Sequence, residues 1–285
     1  MIIFKKQADV FNHLQKKRQA GIQIGFIPTM GALHAGHLSL IGQSREKTGI
    51  SVCSIFINPT QFNDPEDFQK YPITLEKDIF LLERNGVDIL FLPAVDEIYT
   101  GGTDDLEHYD LGYLETILEG KFRPGHFQGV CQVMFRLLNI INPDLLFMGQ
   151  KDYQQCMVVE RLLEIMRSDI QLVTCETLRE SDGLAMSSRN MRLNEEQRKN
   201  ASAIYEALVY LKQHIKAGSL IEIIDEAKSI LQKKDFIIDY VEIANADHLA
   251  SREDWNGSEK IVALIAALQH EVRLIDNMLL NIEHN

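Results

Sequence analysis

Five short apolar runs, separated by amphipathic stretches, fill the first 175 residues and limit most strongly what this chain can fold into. They are "IQIGFIPT" (22–29), "ISVCSIFI" (50–57), "VDILFLP" (87–93), "DLLFMG" (144–149) and "IQLVTCET" (170–177). Helix-like segments lie between them near 37–48, 74–85, 128–141 and 152–166. A strand that is apolar along its whole length needs cover on both faces, and helices alternating with such strands supply it around a parallel sheet. Residues 1–176 therefore read as an α/β domain, a Rossmann-like parallel sheet with helices on both faces.

Past about residue 178 the pattern changes. "LNEEQRKNASAIYEALVYLKQHIKAG" reads as one long helix, opened by Asn194 as N-cap and closed at Gly218. A second helix, "LIEIIDEAKSILQKK", follows, and then three strand-like runs, "FIIDYVEIAN", "KIVALIAALQ" and "VRLIDNMLL", the last two as a hairpin. Residues 177–285 thus form a smaller C-terminal α+β domain, joined near 176–190. Two domains suit a chain of 285 residues.

Net charge is −12 with no basic tract to offset it, which argues against a nucleic-acid partner but leaves room for a pocket that gathers a few cations around an anionic substrate. The four cysteines, Cys53, Cys131, Cys156 and Cys175, are scattered and form no C-x-x-C pair, which suits reduced, buried thiols and a cytoplasmic protein. The start "MIIFKKQADVFNHL" lacks the apolar centre of a secretion signal, and no run approaches the roughly 18 apolar residues of a membrane span.

Open α/β sheets bind ligands beyond the carboxyl ends of their strands, so motifs placed there carry the chemistry. "FIPTMGALHAGHLSLI" ends the first run and opens a helix, whose N-terminus favours phosphate. Its small residues admit a ligand to the backbone, and His34 and His37 share one helical face. Three readings stand at this point: hydrogen-bond donors to phosphate, structural caps of the helix, or a metal pair, although the segment offers no further ligand nearby. "FMGQKDYQQC" repeats the geometry with Gly149, Gln150, Lys151 and Asp152, where Lys151 is either a solvated charge or a phosphate contact; Gln155 lies one turn on. In "RESDGLAMSSRN", Ser187, Ser188 and Arg189 suit an oxyanion, although taken alone the segment reads better as a linker. Asn58 and Gln61 in "FINPTQFNDPEDFQKYP" offer neutral amides for hydroxyls or a carboxylate, or simple turn chemistry. Asp78 and Asp152 are conceivable metal neighbours, although acidic residues near strand ends are usually solvated or capping.

The pairing of "HAGH" with "MSSR" resembles the signatures of the nucleotidyltransferase and class I aminoacyl-tRNA synthetase-like superfamily. Within it, "PTMGALHAGHLSLI", "FINPTQF", "YPIT", "FRPGHFQGV", "GQKDYQQ" and "RESDGLAMSSRN" are similar, in order and spacing, to the pantothenate synthetase (pantoate–β-alanine ligase) family along the whole chain. The resemblance implies an ATP site at Met30, Gly31, Ala32, Leu33, His34, Ala35, Gly36, His37, Gly149, Gln150, Lys151, Asp152, Leu178, Met186, Ser187, Ser188 and Arg189. It implies that His37 acts as catalytic acid, that His34, Lys151 and Arg189 share the charge stabilisation, and that Gln61 and Gln155 hold pantoate, with β-alanine near Gln61. It further implies Mg²⁺, a homodimer, and a C-terminal domain that closes over the site. Two positions depart from the family, Ile73 in "YPIT" and Gln128 in "GHFQGV", where arginine is common. Competing readings are a nucleotidylyltransferase acting on a phosphorylated acceptor and a nucleotide sensor without turnover.

Overall fold

The computed structural model describes residues 1–63 and 65–280, and the chain divides into two compact units, Met1–Glu176 and Thr177–Asn285. The first unit begins β1 (Ile2–Phe4), α1 (Gln7–Gln19), β2 (Ile24–Thr29), α2 (Ala35–Lys47), β3 (Ile50–Ile55), α3 (Pro65–Gln69) and α4 (Leu75–Arg84). It continues with β4 (Ile89–Phe91), α5 (Val95–Ile98), α6 (Leu118–Phe122), α7 (His126–Ile141), β5 (Leu145–Gly149), α8 (Tyr153–Met166) and β6 (Gln171–Cys175).

The strands form one sheet in the order β1-β4-β3-β2-β5-β6, each pair parallel. The expected Rossmann-like class is correct, and all five apolar runs are strands. The edge strand β1 lies outside those runs: it is three residues long and leaves Ile2 and Ile3 exposed, so it carries neither length nor a burial pattern. All six residues of β3 are buried, Ser51 and Ser54 among them, which is why the run is mostly apolar and carries no charge. Phe26, Phe91, Phe127 and Phe147 are fully buried, each contributing about 2 kcal/mol.

From β2 the chain builds outward through β3 to β4, then returns to lay β5 on the other side of β2. The direction of sheet growth therefore reverses between β2 and β5. A crevice opens beyond the carboxyl ends of strands at such a reversal. The segments that follow β2 and β5 are the ones that carry His34, His37 and Lys151.

The second unit contains α9 (Glu195–Ala201), α10 (Ala203–His214), β7 (Gly218–Ser219), α11 (Ile221–Gln232), β8 (Phe236–Asn245), β9 (Asp254–Trp255), β10 (Ile261–Gln269) and β11 (Val272–Leu279). Its three-stranded sheet runs β11-β10-β8, antiparallel. The expected hairpin joins β10 to β11, with Gln269 opposite Val272. Ala203, Ile204, Ala207, Leu208 and Leu211 of α10 pack with Ala227 and Leu231 of α11 and with Ile243, Ala263 and Ile265 of the sheet.

The single long helix expected from Asn194 to Gly218 is instead two. Asn194 does cap α9, in a reciprocal capping box with Gln197. Ser202 stands between the two as a single turn residue that keeps helical dihedrals (φ −60°, ψ −19°), its hydroxyl bonding the Lys199 carbonyl at 3.3 Å. Gly218 ends no helix; it pairs with Trp255 in a two-residue strand.

All four cysteines are free and buried. Burial pushes the Cys53, Cys131 and Cys156 thiols up to about 12 and Cys175 to about 11, so none is a ready nucleophile. Among the described residues no helix is long and apolar enough to cross a membrane.

Candidate active site

The turn after β2 is built residue by residue. Pro28 has no N–H to continue the ladder. Thr29 takes over: its hydroxyl donates to the Ser54 carbonyl at 2.7 Å and accepts from the Gly31 N–H at 3.2 Å. Gly31 (φ 82°) and Ala32 (φ 49°) then turn the chain through two left-handed residues. A Cβ on Gly31 would crowd Asp78 Oδ2 at 3.1 Å and Ile55 Cγ2 at 3.2 Å, and it is the left-handed φ that favours glycine there.

Ala32 is strained by about 1–2 kcal/mol in that conformation, and Asp78 holds it. The Asp78 carboxylate is 1% exposed and accepts from Ala32 N–H at 2.9 Å, Leu33 N–H at 2.8 Å and the Thr74 hydroxyl at 3.1 Å. Both oxygens thus serve the turn, so the placement of Asp78 beside a metal is corrected: it is an internal anchor. A sequence signal for this existed. Asp78 and Leu82 are spaced i, i+4 on the buried face of α4, and a carboxylate on an apolar face needs fixed donors.

His34 and His37 then open α2. His34 Nδ1 accepts from the Gly36 N–H at 3.2 Å, and His37 Nδ1 accepts from the His34 N–H at 3.4 Å, while the rings lie in contact, tilted by 41° with centroids 4.1 Å apart. A neutral imidazole with Nδ1 accepting carries its proton on Nε2. The two readings of cap and phosphate contact are therefore compatible: one nitrogen of each ring caps the helix and the other presents an N–H away from it. Burial, with help from His34 and the Lys151 ammonium, pushes the His37 pKa down to about 3, so the ring is neutral near pH 7. Among the described residues no group of three or more His, Cys, Asp or Glu is placed to hold a metal ion.

β5 pairs with β2, so the turn after β5 brings Lys151 to the same end of the sheet as the histidine pair. Gly149 ends β5, and Gln150, Lys151 and Asp152 form a short 3-10 turn leading into α8, with Lys151 16% exposed and 3.5 Å from Asp152. Gln154, the next residue but one, is structural: it bonds the Glu119 N–H and the Leu114 and Ile117 carbonyls. Gln155 is half-buried, and among the described residues no hydrogen bond engages its amide.

Gln61 sits on a 3-10 turn after β3, its amide donating to Met30 Sδ at 3.2 Å and its carbonyl accepting from Asn58 Nδ2 at 3.1 Å. Asn58 is 1% exposed, bonded to the Tyr99 hydroxyl at 2.6 Å and the Gly129 carbonyl at 3.0 Å, so it supports the turn from behind and does not line the crevice. Gly129 is required by close packing: a Cβ there would overlap the Thr60 carbonyl and lie 2.5 Å from Gln61 Cα. His126 adds a further brace. Its Nε2 faces the Arg123 guanidinium at 3.0 Å, which can only donate, so Nδ1 carries the proton and donates to the Gln61 carbonyl at 2.7 Å.

The departure at Gln128 has a structural meaning. Its amide pairs with the Tyr109 backbone, accepting from N–H and donating to C=O, each at 2.9 Å, and donates to Glu115 at 3.0 Å. Ile73 is 77% exposed and lines, with Met30, Ile55, Leu75 and Val95, an apolar cavity of about 240 Å³.

In the second unit, the segment that reads as a linker is ordered. Met186 N–H donates to the Leu178 carbonyl at 3.0 Å, and Arg179 bridges Ala185. Ser187 caps the 3-10 turn Ser188–Arg192 by accepting from the Arg189 N–H at 3.3 Å. Leu178, Met186, Ser187, Ser188 and Arg189 are thus gathered around one turn.

Known proteins resemble the chain from end to end. The family model described as Pantoate-beta-alanine ligase matches residues 2–279. A pantothenate synthetase of Cytophaga hutchinsonii is 43% identical over 94% of this chain and 95% of its own length, and one of Aquifex aeolicus is 41% identical over 97% and 98%. The crystal structure of pantothenate synthetase from Thermus thermophilus is 37% identical and superposes with a TM-score of 0.89 over 98% of this chain and 99% of that one. The structure of the Francisella tularensis pantoate–β-alanine ligase, complexed with Beta-gamma ATP and Beta-alanine, is 34% identical with a TM-score of 0.82 over 99% of each chain. This chain belongs to the pantoate–β-alanine ligase family.

Proposed function

We propose that the protein condenses (R)-pantoate with β-alanine at the expense of ATP, giving pantothenate, AMP and pyrophosphate, a step of coenzyme A biosynthesis. The observation that carries the reading is the β2–β5 reversal, where His34 and His37, each capping through Nδ1, open the helix after β2 and Lys151 follows the end of the adjacent strand β5. The relative solved with Beta-gamma ATP and Beta-alanine supports the same ligands here. The family match over residues 2–279 does not favour a nucleotidylyltransferase or a sensor.

A carboxylate is a poor electrophile, so pantoate is activated first. Its carboxylate oxygen attacks the α-phosphorus of ATP in line; the acyl–O–P bond forms as the α–β bridging P–O bond breaks, and pyrophosphate leaves. The β-alanine amine then attacks the acyl carbon, the C–O bond to AMP breaks, and the amine loses a proton. No covalent enzyme intermediate is required, in keeping with thiols held at about 11–12. Catalysis is positioning plus charge stabilisation.

Residues Met30 to His37 hold the triphosphate with helix α2 and the two Nε2–H groups. Lys151, with Gly149, Gln150 and Asp152, adds the fixed cation. Ser187, Ser188 and Arg189, with Leu178 and Met186, complete the nucleotide contacts, and the C-terminal unit closes to keep water from the acyl adenylate. In the resting site His37 is a neutral donor; it acts as an acid only once a polyanion raises its pKa. Gln61 and Gln155 hold the pantoate hydroxyls and carboxylate, with the β-alanine position beside Gln61.

Mg²⁺ belongs to this reaction as part of the substrate. The carboxylates present build no resident cage, because Asp78 is engaged by backbone N–H groups and Asp152 stands beside Lys151. When bound to ATP the ion neutralises phosphate charge. The protein works as a cytoplasmic homodimer, checked by light scattering of the purified chain.

The test is a three-way assay. Release of AMP and pyrophosphate that requires both pantoate and β-alanine supports the ligase. Transfer of AMP to a phosphorylated acceptor, or ATP binding without turnover under any pairing of substrates, overturns it.

A further inference from the structure

The segment Arg179–Asn190 is held by a clamp that nothing in the reaction above uses. Glu180 N–H donates to the Leu184 carbonyl at 2.8 Å and Gly183 N–H to the Glu180 carbonyl at 2.9 Å, closing a tight turn. Gly183 (φ 88°) lies flat against Tyr205, where any Cβ would overlap the ring. Arg198, from α9, reaches over this turn and grips both of its acids: Glu180 Oε2 at 2.7 Å, Asp182 Oδ2 at 2.6 Å and Asp182 Oδ1 at 3.2 Å. Asn190 returns from the far side to Glu180 Oε1 at 3.3 Å and to the Ala185 carbonyl at 3.1 Å. Arg179 anchors the base through the buried Asp276 and lies over Tyr205 at 4.7 Å.

Ser187, Ser188 and Arg189 follow immediately, between the clamped turn and Asn190. Side chains of Arg198, Glu180 and Asp182 are each about a third exposed, at 30%, 33% and 38%, so their ion pairs add little to global stability. A guanidinium held by three bonds adds direction instead, which an ammonium does not reproduce. It also neutralises two carboxylates that would otherwise repel an anion approaching Ser187–Arg189.

We infer that Arg198 is a positioning residue for nucleotide binding: it locks the 180–185 turn so that Ser187, Ser188 and Arg189 are pre-arranged for the phosphates. This rests on the reading of Ser187–Arg189 as ATP contacts. The geometry also separates direction from charge. Asp182→Asn removes a negative charge beside the anion site while breaking the fork, so a positional role predicts weaker ATP binding and a purely electrostatic role predicts tighter.

The experiment uses the full-length protein with Arg198→Met, Arg198→Lys, Asp182→Asn and, as a control on the underlying reading, Arg189→Ala. Steady-state constants for each substrate, thermal melting, and amide hydrogen exchange over 186–190 are measured. If the unclamped loop is competent about a tenth of the time, the ATP KM of Arg198→Met rises about tenfold. The pantoate KM stays within about twofold, exchange over 186–190 accelerates, and Arg198→Lys falls between. Unchanged exchange in Arg198→Met overturns the clamp whatever the kinetics show. Faster exchange with an unchanged ATP KM, or an equal rise for all three substrates together with a lowered melting point, overturns the positioning role. An Arg189→Ala variant with a normal ATP KM overturns the nucleotide reading of the loop, and exchange still judges the clamp. Should Arg198→Met not fold, Asp182→Asn decides by the direction of its ATP KM.

Discussion

Replacing Asp78 by Asn changes one atom of the carboxylate and tests how the signature turn is held. The carboxylate accepts two backbone N–H groups, from Ala32 and Leu33, and one hydroxyl, from Thr74. An asparagine keeps one acceptor oxygen but sets its NH₂ against the other backbone N–H, donor facing donor. The loss is one charge-assisted hydrogen bond and a buried N–H left unmatched, about 2–3 kcal/mol. Release of Ala32 from its left-handed conformation returns about 1 kcal/mol of that. For a unit of the size of Met1–Glu176, each kcal/mol moves the melting point by about 2–4 °C, so the net loss of about 1–2 kcal/mol should make Asp78→Asn melt about 2–8 °C lower. Activity should fall further than stability. The same turn sets where His34 and His37 point, and a displacement of about 1 Å at a reacting group lowers the rate by about a hundredfold. Melting curves and kcat measured well below the transition separate the two effects. A variant that melts within about 2 °C of the parent and keeps kcat within about threefold refutes the anchor.

Other outcomes follow from the same geometry. His37→Ala should lower kcat about a hundredfold or more while ATP affinity changes by less than about threefold; near-normal turnover removes His37 from the chemistry. The folded state holds His37 neutral down to about pH 3, whereas the unfolded chain protonates near 6.5. Its contribution is therefore full above pH 6.5 and is lost as pH falls toward 3, and His37→Gln should flatten that part of the melting profile. Gln155→Ala should raise the pantoate KM with little effect on the ATP KM, and an equal rise in both contradicts its assignment. Gly129→Ala should push the Gln61 turn away from α7, raising the pantoate KM and lowering the melting point; unaltered values in both would show that the contact with Thr60 and Gln61 relaxes freely.

Much of the fold is legible because the strands are buried on both faces. A run such as "ILFL" (89–92) has no polar position to hide its identity, and the helices between are long enough to show a face. What escapes is whatever lacks length or depends on distant partners. β1 has three residues and an exposed edge. Ser202 separates α9 from α10 by one residue of near-helical backbone, an interruption that no periodicity reveals. In the site, the histidines, Lys151 and the glutamines stand out because their residue types at strand ends imply chemistry. Their supports do not: Asp78 looks like a ligand, Asn58 like a substrate contact and Arg198 like one more surface charge, and only the partners 46, 71 and 16 residues away say otherwise. Gln128 looks like a lost arginine until its pairing with Tyr109 is seen.

The central claim is that pantoate is activated as an acyl adenylate before β-alanine is used. Exchange of labelled pyrophosphate into ATP measures that step alone. With Mg²⁺, ATP and pantoate present and β-alanine omitted, the protein should catalyse the exchange, and omission of pantoate should abolish it. Exchange that requires β-alanine, or that proceeds without pantoate, contradicts the account.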